Sequence, residues 1–172
     1  MPDQFVPERI LGVLTEHEVQ FVLIGGMGAV AHGSPLPTRD VDVTPEASRA
    51  NLDRLAAALR ALDARIRDSD IPEGLAFSCD GTSLAAAIFW NLTTRFGDLD
   101  ISFTPAGTTG YAGLVVDAEP LTFRGVDVQL ASLEAIVRSK AAANRPKDLR
   151  ALPVLRELLA AQTRARAVRP QP

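Results

Sequence analysis

The sequence predicts an α/β (α+β) domain: a small mixed β-sheet with helices on one side, followed by a short helical C-terminal segment. Three observations point there. Apolar runs of strand length alternate with stretches whose apolar residues recur at helical spacing. Two segments, Asp40-Val41-Asp42 and Leu99-Asp100-Ile101, set acids between apolar neighbours, as strands with one half-buried face do. Finally, the 172 residues contain no internal repeat and no linker long enough to separate a pair of domains. One domain spanning 1–172 is expected, with a core over about 18–131, C-terminal helices over about 132–162 and a frayed tail over 163–172.

The elements follow in order. Pro7 to Glu18 carries Ile10, Leu11 and Leu14 at helical spacing. Gln20 to Ile24 is an apolar strand stopped by Gly25-Gly26, and Met27 to His32 allows a short helix that Gly33, Pro35 and Pro37 end. Asp40 to Thr44 is the second strand. Ser48 caps an amphipathic helix reaching Leu62, with Leu52, Leu55 and Leu59 on its apolar face. Ala64 to Arg67 suggests a short strand, and Ile71 to Thr82 a loop containing one strand. Ala85–Thr93 and Leu99–Thr104 pair around a turn at Arg95-Phe96-Gly97-Asp98. Pro105 to Tyr111 is a Gly/Thr loop, and Val115 to Leu130 holds short strands broken by Pro120 and Gly125. Ser132 opens a helix to about Ala143 with Glu134 in its first turn. Asn144-Arg145-Pro146 breaks it, and Lys147 to Gln162 forms the last helix.

Composition narrows the setting. An apolar fraction of 47% with 23% charged residues is that of an ordinary globular protein. The net charge of −3 offers no global attraction to nucleic acid, so any such binding needs a local basic patch. Cys79 is the single cysteine, which excludes an intrachain disulfide and fits a reducing cytoplasm. The N-terminus lacks the pattern of a signal peptide, and no apolar run approaches the ~20 residues that span a bilayer, so no membrane partner is expected.

The acids carry the chemistry. Alternation along a strand points Asp40 and Asp42 to one face, roughly 7 Å apart at their backbones. Carboxylates gathered on a half-buried face repel one another and persist best around a divalent cation. Asp100 is the third candidate, in preference to Asp127 of Val126-Asp127-Val128, while Asp98 is expected in a turn. The Gly25-Gly26 turn and the short helix after it suit phosphate oxygens. Gly26-Met27-Gly28-Ala29-Val30-Ala31 also fits a dinucleotide fingerprint, but that fold needs a crossover helix of ten or more residues, and Gly33, Pro35 and Pro37 forbid it.

Two glycines closing a strand, then Asp-Val-Asp-Val, then a later Leu-Asp-Ile resemble the nucleotidyltransferase superfamily, whose fold is named for DNA polymerase β. Ala31-His32-Gly33-Ser34-Pro35 with Thr38-Arg39-Asp40-Val41-Asp42, Arg95-Phe96-Gly97-Asp98-Leu99-Asp100, and Ser139-Lys140 through Asn144-Arg145-Pro146-Lys147-Asp148-Leu149 are similar to the AbiEii-type enzymes, which include toxins of toxin–antitoxin and phage-defence systems. The resemblance spans about residues 18–160. It implies nucleotide binding by Gly25, Gly26, Thr38, Arg39, Lys140 and Asp148. It implies Mg²⁺, as a two-ion site, on Asp40, Asp42 and Asp100, with Asp100 taking the nucleophile's proton. Asp40, Asp42, Asp100 and Lys140 would be the catalytic set. A nucleoside triphosphate is the implied substrate, an RNA end or a protein side chain the implied acceptor, and a cognate antitoxin the implied partner. Leu36 stands where many relatives carry a basic residue, and the C-terminal helical segment is short for such toxins.

Two other classes fit the same motifs: a small-molecule transferase of the aminoglycoside-modifying kind, and a non-catalytic binding protein that keeps the fold. Three mutually repelling acids favour an enzyme. Among the cations Arg138, Lys140, Arg145, Lys147 and Arg150, only Lys140 is expected at phosphate, since such runs are usually solvated helix faces. Arg164, Arg166 and Arg169 could steer RNA. His32, Cys79 and Trp90 are expected to pack.

Overall fold

The computed structural model describes residues 4–168. Its strands are β1 (Phe21–Ile24), β2 (Asp40–Pro45), β3 (Arg65–Ile66), β4 (Phe89–Thr94), β5 (Gly97–Ser102), β6 (Glu119–Phe123) and β7 (Val126–Leu130). Its helices are α1 (Pro7–Glu16), α2 (Gly25–Ala31), α3 (Arg49–Ala61), α4 (Gly81–Ala85), α5 (Tyr111–Leu114), α6 (Leu133–Ala143) and α7 (Pro146–Val168). The strands form one mixed sheet in the order β3-β4-β5-β2-β1-β7-β6. β2 runs parallel to β5, β1 runs parallel to β7, and the other neighbours are antiparallel. Among the described residues no helix is long and apolar enough to cross a membrane.

Side-chain alternation divides the core in two. Phe21, Leu23, Val41, Val43, Leu99 and Ile101 join Ile10, Leu11 and Leu14 of α1 and Leu52, Leu55 and Leu59 of α3. Val22 and Ile24 face the other way, into Ala29 of α2, Leu114 of α5, Ile136 of α6 and Leu155 of α7. Helices therefore cover both faces, not one side as the sequence suggested, because β1 is apolar at every position and needs cover twice. On β2 and β5 the second face turns acidic, and a cleft opens there.

Local chemistry explains most boundaries. Ser48 caps α3 by accepting from the Asn51 amide, and Ser132 caps α6 by accepting from the Ala135 amide. Asn144 ends α6 in the left-handed conformation at φ 54°, and Pro146 then starts α7. Asn51 is fully buried; its amide donates to Gln20 O at 2.9 Å and Glu46 O at 2.7 Å, and its oxygen accepts from Gln20 N at 2.8 Å. One side chain thus staples the start of β1 to the end of β2.

Several boundaries differ from the sequence expectation. α1 ends at Glu16, and α2 begins at Gly25 instead of Met27. The expected loops end in two short helices, α4 and α5; Asp80 caps α4, so Ala85 closes a helix and β4 starts only at Phe89. Asp98 lies inside β5 rather than in the turn. Pro120 does not break β6, because β6 is an edge strand paired only with β7 and can spare an amide. Arg124 and Gly125, with φ 49° and 85°, make the tight hairpin turn between them. The last helix continues past Gln162 to Val168, so residues 163–168 are helical where fraying was expected, and Arg166 donates to Glu119 at 2.7 Å. Arg169 and the rest of the expected tail lie outside the described residues.

Candidate active site

The pairing of β2 with β5 sets Asp42 beside Asp100 and Asp40 beside Asp98 in register. Asp40, Asp42 and Asp100 are half-buried, and each offers a carboxylate oxygen within 4.8 Å of the others. Asp127 lies elsewhere, exposed on β7 and bonded to Thr122 Oγ1 at 2.6 Å. Thr38 Oγ1 donates to Asp40 Oδ1 at 2.7 Å and fixes that carboxylate.

Backbone shape lets Asp42 in. Gly25 has φ +68°, and a Cβ there would collide with the Asp42 carboxylate. A Cβ on Gly26 would lie 2.7 Å from Thr38 Oγ1. The two glycines thus hold the main chain close against Asp42 and Thr38. No side chain caps α2, whose first residues they are.

Electrostatics match the crowding. Burial, then the charges of Asp40 and Asp100, push the Asp42 carboxyl up to about 7, against the opposing pull of Lys147 and Lys140. Burial also raises Asp100, opposed by the charge of Arg67. Arg67, just past β3, donates to Asp100 Oδ1 and to Asp98 Oδ2, the latter at 2.7 Å.

Beside the acids lies a cavity of about 260 Å³, bounded by Gly25, Gly26, Thr38, Asp40 and Asp42 on one wall and by Lys140, Lys147 and Arg150 on the other. Beneath the second wall Asp148 is fully buried and accepts from Lys140 Nζ at 3.2 Å and Arg145 Nε at 2.7 Å. Burial would raise the Asp148 carboxyl, but the Arg145 hydrogen bond and the charges of Lys140 and Arg145 hold it below its ordinary value. Asp148 does not line the cavity; it aims Lys140 and Arg145. Arg39 is exposed and outside the cavity lining, whereas Leu36 belongs to it. A second cavity, about 390 Å³, opens on the Asp100 side of Asp42.

The structure adds residues to which the sequence gives no role at the site. Arg67 carries no motif of its own. Lys147 and Arg150 read as solvated cations, although their i, i+3 spacing beside Asp148 puts them on one helix face. His32 packs, with Nε2 2.8 Å from Ala131 O. Trp90 stacks on Phe77 with ring centres 5.2 Å apart, and Cys79 packs against the α1–α3 core.

Carboxylate oxygens are hard ligands suited to Mg²⁺ or a similar divalent ion, and the residual repulsion on Asp42 is what such an ion would relieve.

No family model and no curated protein matches this sequence. Solved structures do. The chain is similar to the lincomycin-bound crystal structure of the lincosamide antibiotic adenylyltransferase LnuA, with 15% identity over 91% of this chain and 99% of that one, at TM-score 0.59. It is also similar to ANT(2″)-Ia in complex with adenylyl-2″-tobramycin, with 18% identity over 91% of this chain and 89% of that one, at TM-score 0.55. At such identities the likeness is one of fold, and it does not single out the AbiEii-type branch. The seven-stranded mixed sheet with its flanking helices is the nucleotidyltransferase fold.

Proposed function

We propose that this protein is a Mg²⁺-dependent nucleotidyltransferase that moves a nucleoside monophosphate from a nucleoside triphosphate to the hydroxyl of a small molecule. The observation that carries this reading is the cluster of Asp40, Asp42 and Asp100, two of which line a cavity together with Lys140, Lys147 and Arg150. The acids would hold divalent ions and the cations would meet the triphosphate.

Asp40 and Asp42 would hold an ion on the nucleotide side, and Asp42 and Asp100 one on the acceptor side. When bound, such ions screen the triphosphate and lower the pKa of the attacking hydroxyl. Gly25 and Gly26, at the uncapped start of α2, offer main-chain amides to phosphate oxygens. Lys140, aimed by Asp148, and Lys147 stabilise the charge building on the leaving group. The acceptor oxygen attacks the α-phosphorus and forms a new P–O bond. The bond from that phosphorus to the bridging oxygen breaks, pyrophosphate departs, and the hydroxyl proton passes to Asp100.

An RNA or protein acceptor, and with it a toxin role, draws less support. Arg166 is engaged with Glu119, and the cations nearest the acids flank the nucleotide cavity. The two solved relatives are named for antibiotic substrates, which makes a small acceptor the nearer analogy.

Calorimetric titration with non-hydrolysable α,β-methylene triphosphates tests the reading without any acceptor. At least one of the four should bind only with Mg²⁺ present, and Asp42→Asn should abolish that binding. Failure of all four to bind in the presence of Mg²⁺ would refute it.

A further inference from the structure

The second cavity carries information about the acceptor. It borders Asp100 and Asp42, and its volume of about 390 Å³ falls within the range of small-molecule clefts. β4 forms its outer wall. Asn91 is the register partner of Asp100, and Phe89 is the partner of Ser102, so Phe89 is a diagonal neighbour of Asp100 on the same sheet face, roughly 7–8 Å away at the backbone. Phe89 is 58% exposed, although apolar cores lie on both faces of the sheet. A ring left open beside a candidate reactive carboxylate is a platform for a flat apolar surface.

Charge sets the second limit. Beyond Asp42 and Asp100, the charged residues of this lining are Lys140 and Arg145, and both are tied to Asp148 and also border the nucleotide cavity. The remaining polar side chains, Asn91, Ser102 and Ser139, are neutral. The lining therefore offers no further carboxylates for the amino groups of a polycation, and its two cations, which also border the nucleotide cavity, leave none dedicated to a polyanion backbone.

We infer that the acceptor is an uncharged, amphipathic small molecule that lays an apolar face on Phe89 and presents a hydroxyl to Asp100. This rests on the nucleotidyltransferase reading and narrows its substrate class. Phe89 is then a specificity-determining residue, outside the nucleotide cavity.

The test reads the charge of the product. The protein is incubated with α-³²P-labelled nucleotide, Mg²⁺ and the small-molecule fraction of a cell extract, and in parallel with lincomycin, tobramycin and total RNA. The expected product is acid-soluble, carries the single negative charge of a phosphodiester and is retained on reverse-phase medium. Label held on a cation exchanger at pH 7, as a tobramycin conjugate would be, or label made acid-insoluble in RNA or protein, overturns the assignment. So does the absence of transferred label when Mg²⁺-nucleotide binding is intact; absence of that binding would instead refute the nucleotidyltransferase reading. Phe89→Ala should raise the acceptor KM about tenfold or more while leaving analogue affinity unchanged, Phe89→Tyr should restore it, and Phe89→Leu should restore it only incompletely. An unchanged KM in Phe89→Ala would remove Phe89 from the acceptor site.

Discussion

Gly25 shows how one missing Cβ admits a carboxylate to a crowded site. Its φ of +68° costs any L side chain about 1–2 kcal/mol, a loss that a protein of this size tolerates. The collision with Asp42 is the larger effect on function. Gly25→Ala is therefore expected to remain folded in urea titrations but to lose at least about tenfold in Mn²⁺ affinity by calorimetry. Gly26→Ala should be milder, because its Cβ meets Thr38 Oγ1, which can rotate away at the cost of its bond to Asp40. Arg67 acts from the other side of the cluster. It grips Asp98 and Asp100 together, and Asp100 borders the second cavity, the one proposed for the acceptor. Arg67→Ala should lower kcat by about 10–100-fold and leave nucleotide KM within about twofold. A matching rise in nucleotide KM would place Arg67 with the triphosphate instead.

At the scale of elements, α7 turns an acidic patch on the sheet face into a two-walled cleft. It supplies Lys147 and Arg150 to the cavity and, through Asp148, fixes Lys140 of α6. Asp148 is fully buried between two cations, so Asp148→Asn strands them beside a neutral amide. Lys140 is largely buried but Arg145 is 59% exposed and can rehydrate, so chemical denaturation should register a loss of about 1–3 kcal/mol. Asn51→Ala tests the opposite end of the fold: four side-chain hydrogen bonds vanish, three of them to buried backbone groups that lose their partners, for about 2–4 kcal/mol with little change in Mg²⁺ affinity. These elements also mark what the sequence can reveal. Ser48, Ser132 and Asn144 signal helix ends through local hydrogen bonding, and those ends are where the sequence puts them. Lys147 and Arg150 give no such signal, because their place at the cavity comes from how α7 packs against α6. α4 and α5 escape a sequence reading because helices of five and four residues leave too short a periodic pattern to detect.

At the scale of the molecule, the strand order creates the site. Alternation shows that Asp40 and Asp42 share a face, but no local pattern shows that β5 lies parallel beside β2 with Asp100 level with Asp42; the order of motifs suggests it, and the register supplies it. The resulting concentration of charge should appear in global stability. Without metal, the folded-state pKa of Asp42 is about 7, against an ordinary value of 3.8, so folding takes up a proton between those limits. The stabilising contribution of the protonated carboxyl is complete below pH 3.8 and is lost as pH rises through about 7. The metal-free protein should therefore melt at a lower temperature at pH 8 than at pH 6. A divalent ion replaces that proton, so saturating Mg²⁺ should raise the melting temperature more at pH 8, by about 5–10 °C if the ion is present at 100 times its Kd. Asp42→Asn separates this linkage from other titrations. It should raise the metal-free melting temperature at pH 8, flatten the pH dependence and remove the response to Mg²⁺. Scanning calorimetry at the two pH values, with and without Mg²⁺, checks all three; a wild-type Mg²⁺ shift that is equal at both pH values would mean that the ion does not displace a proton from Asp42.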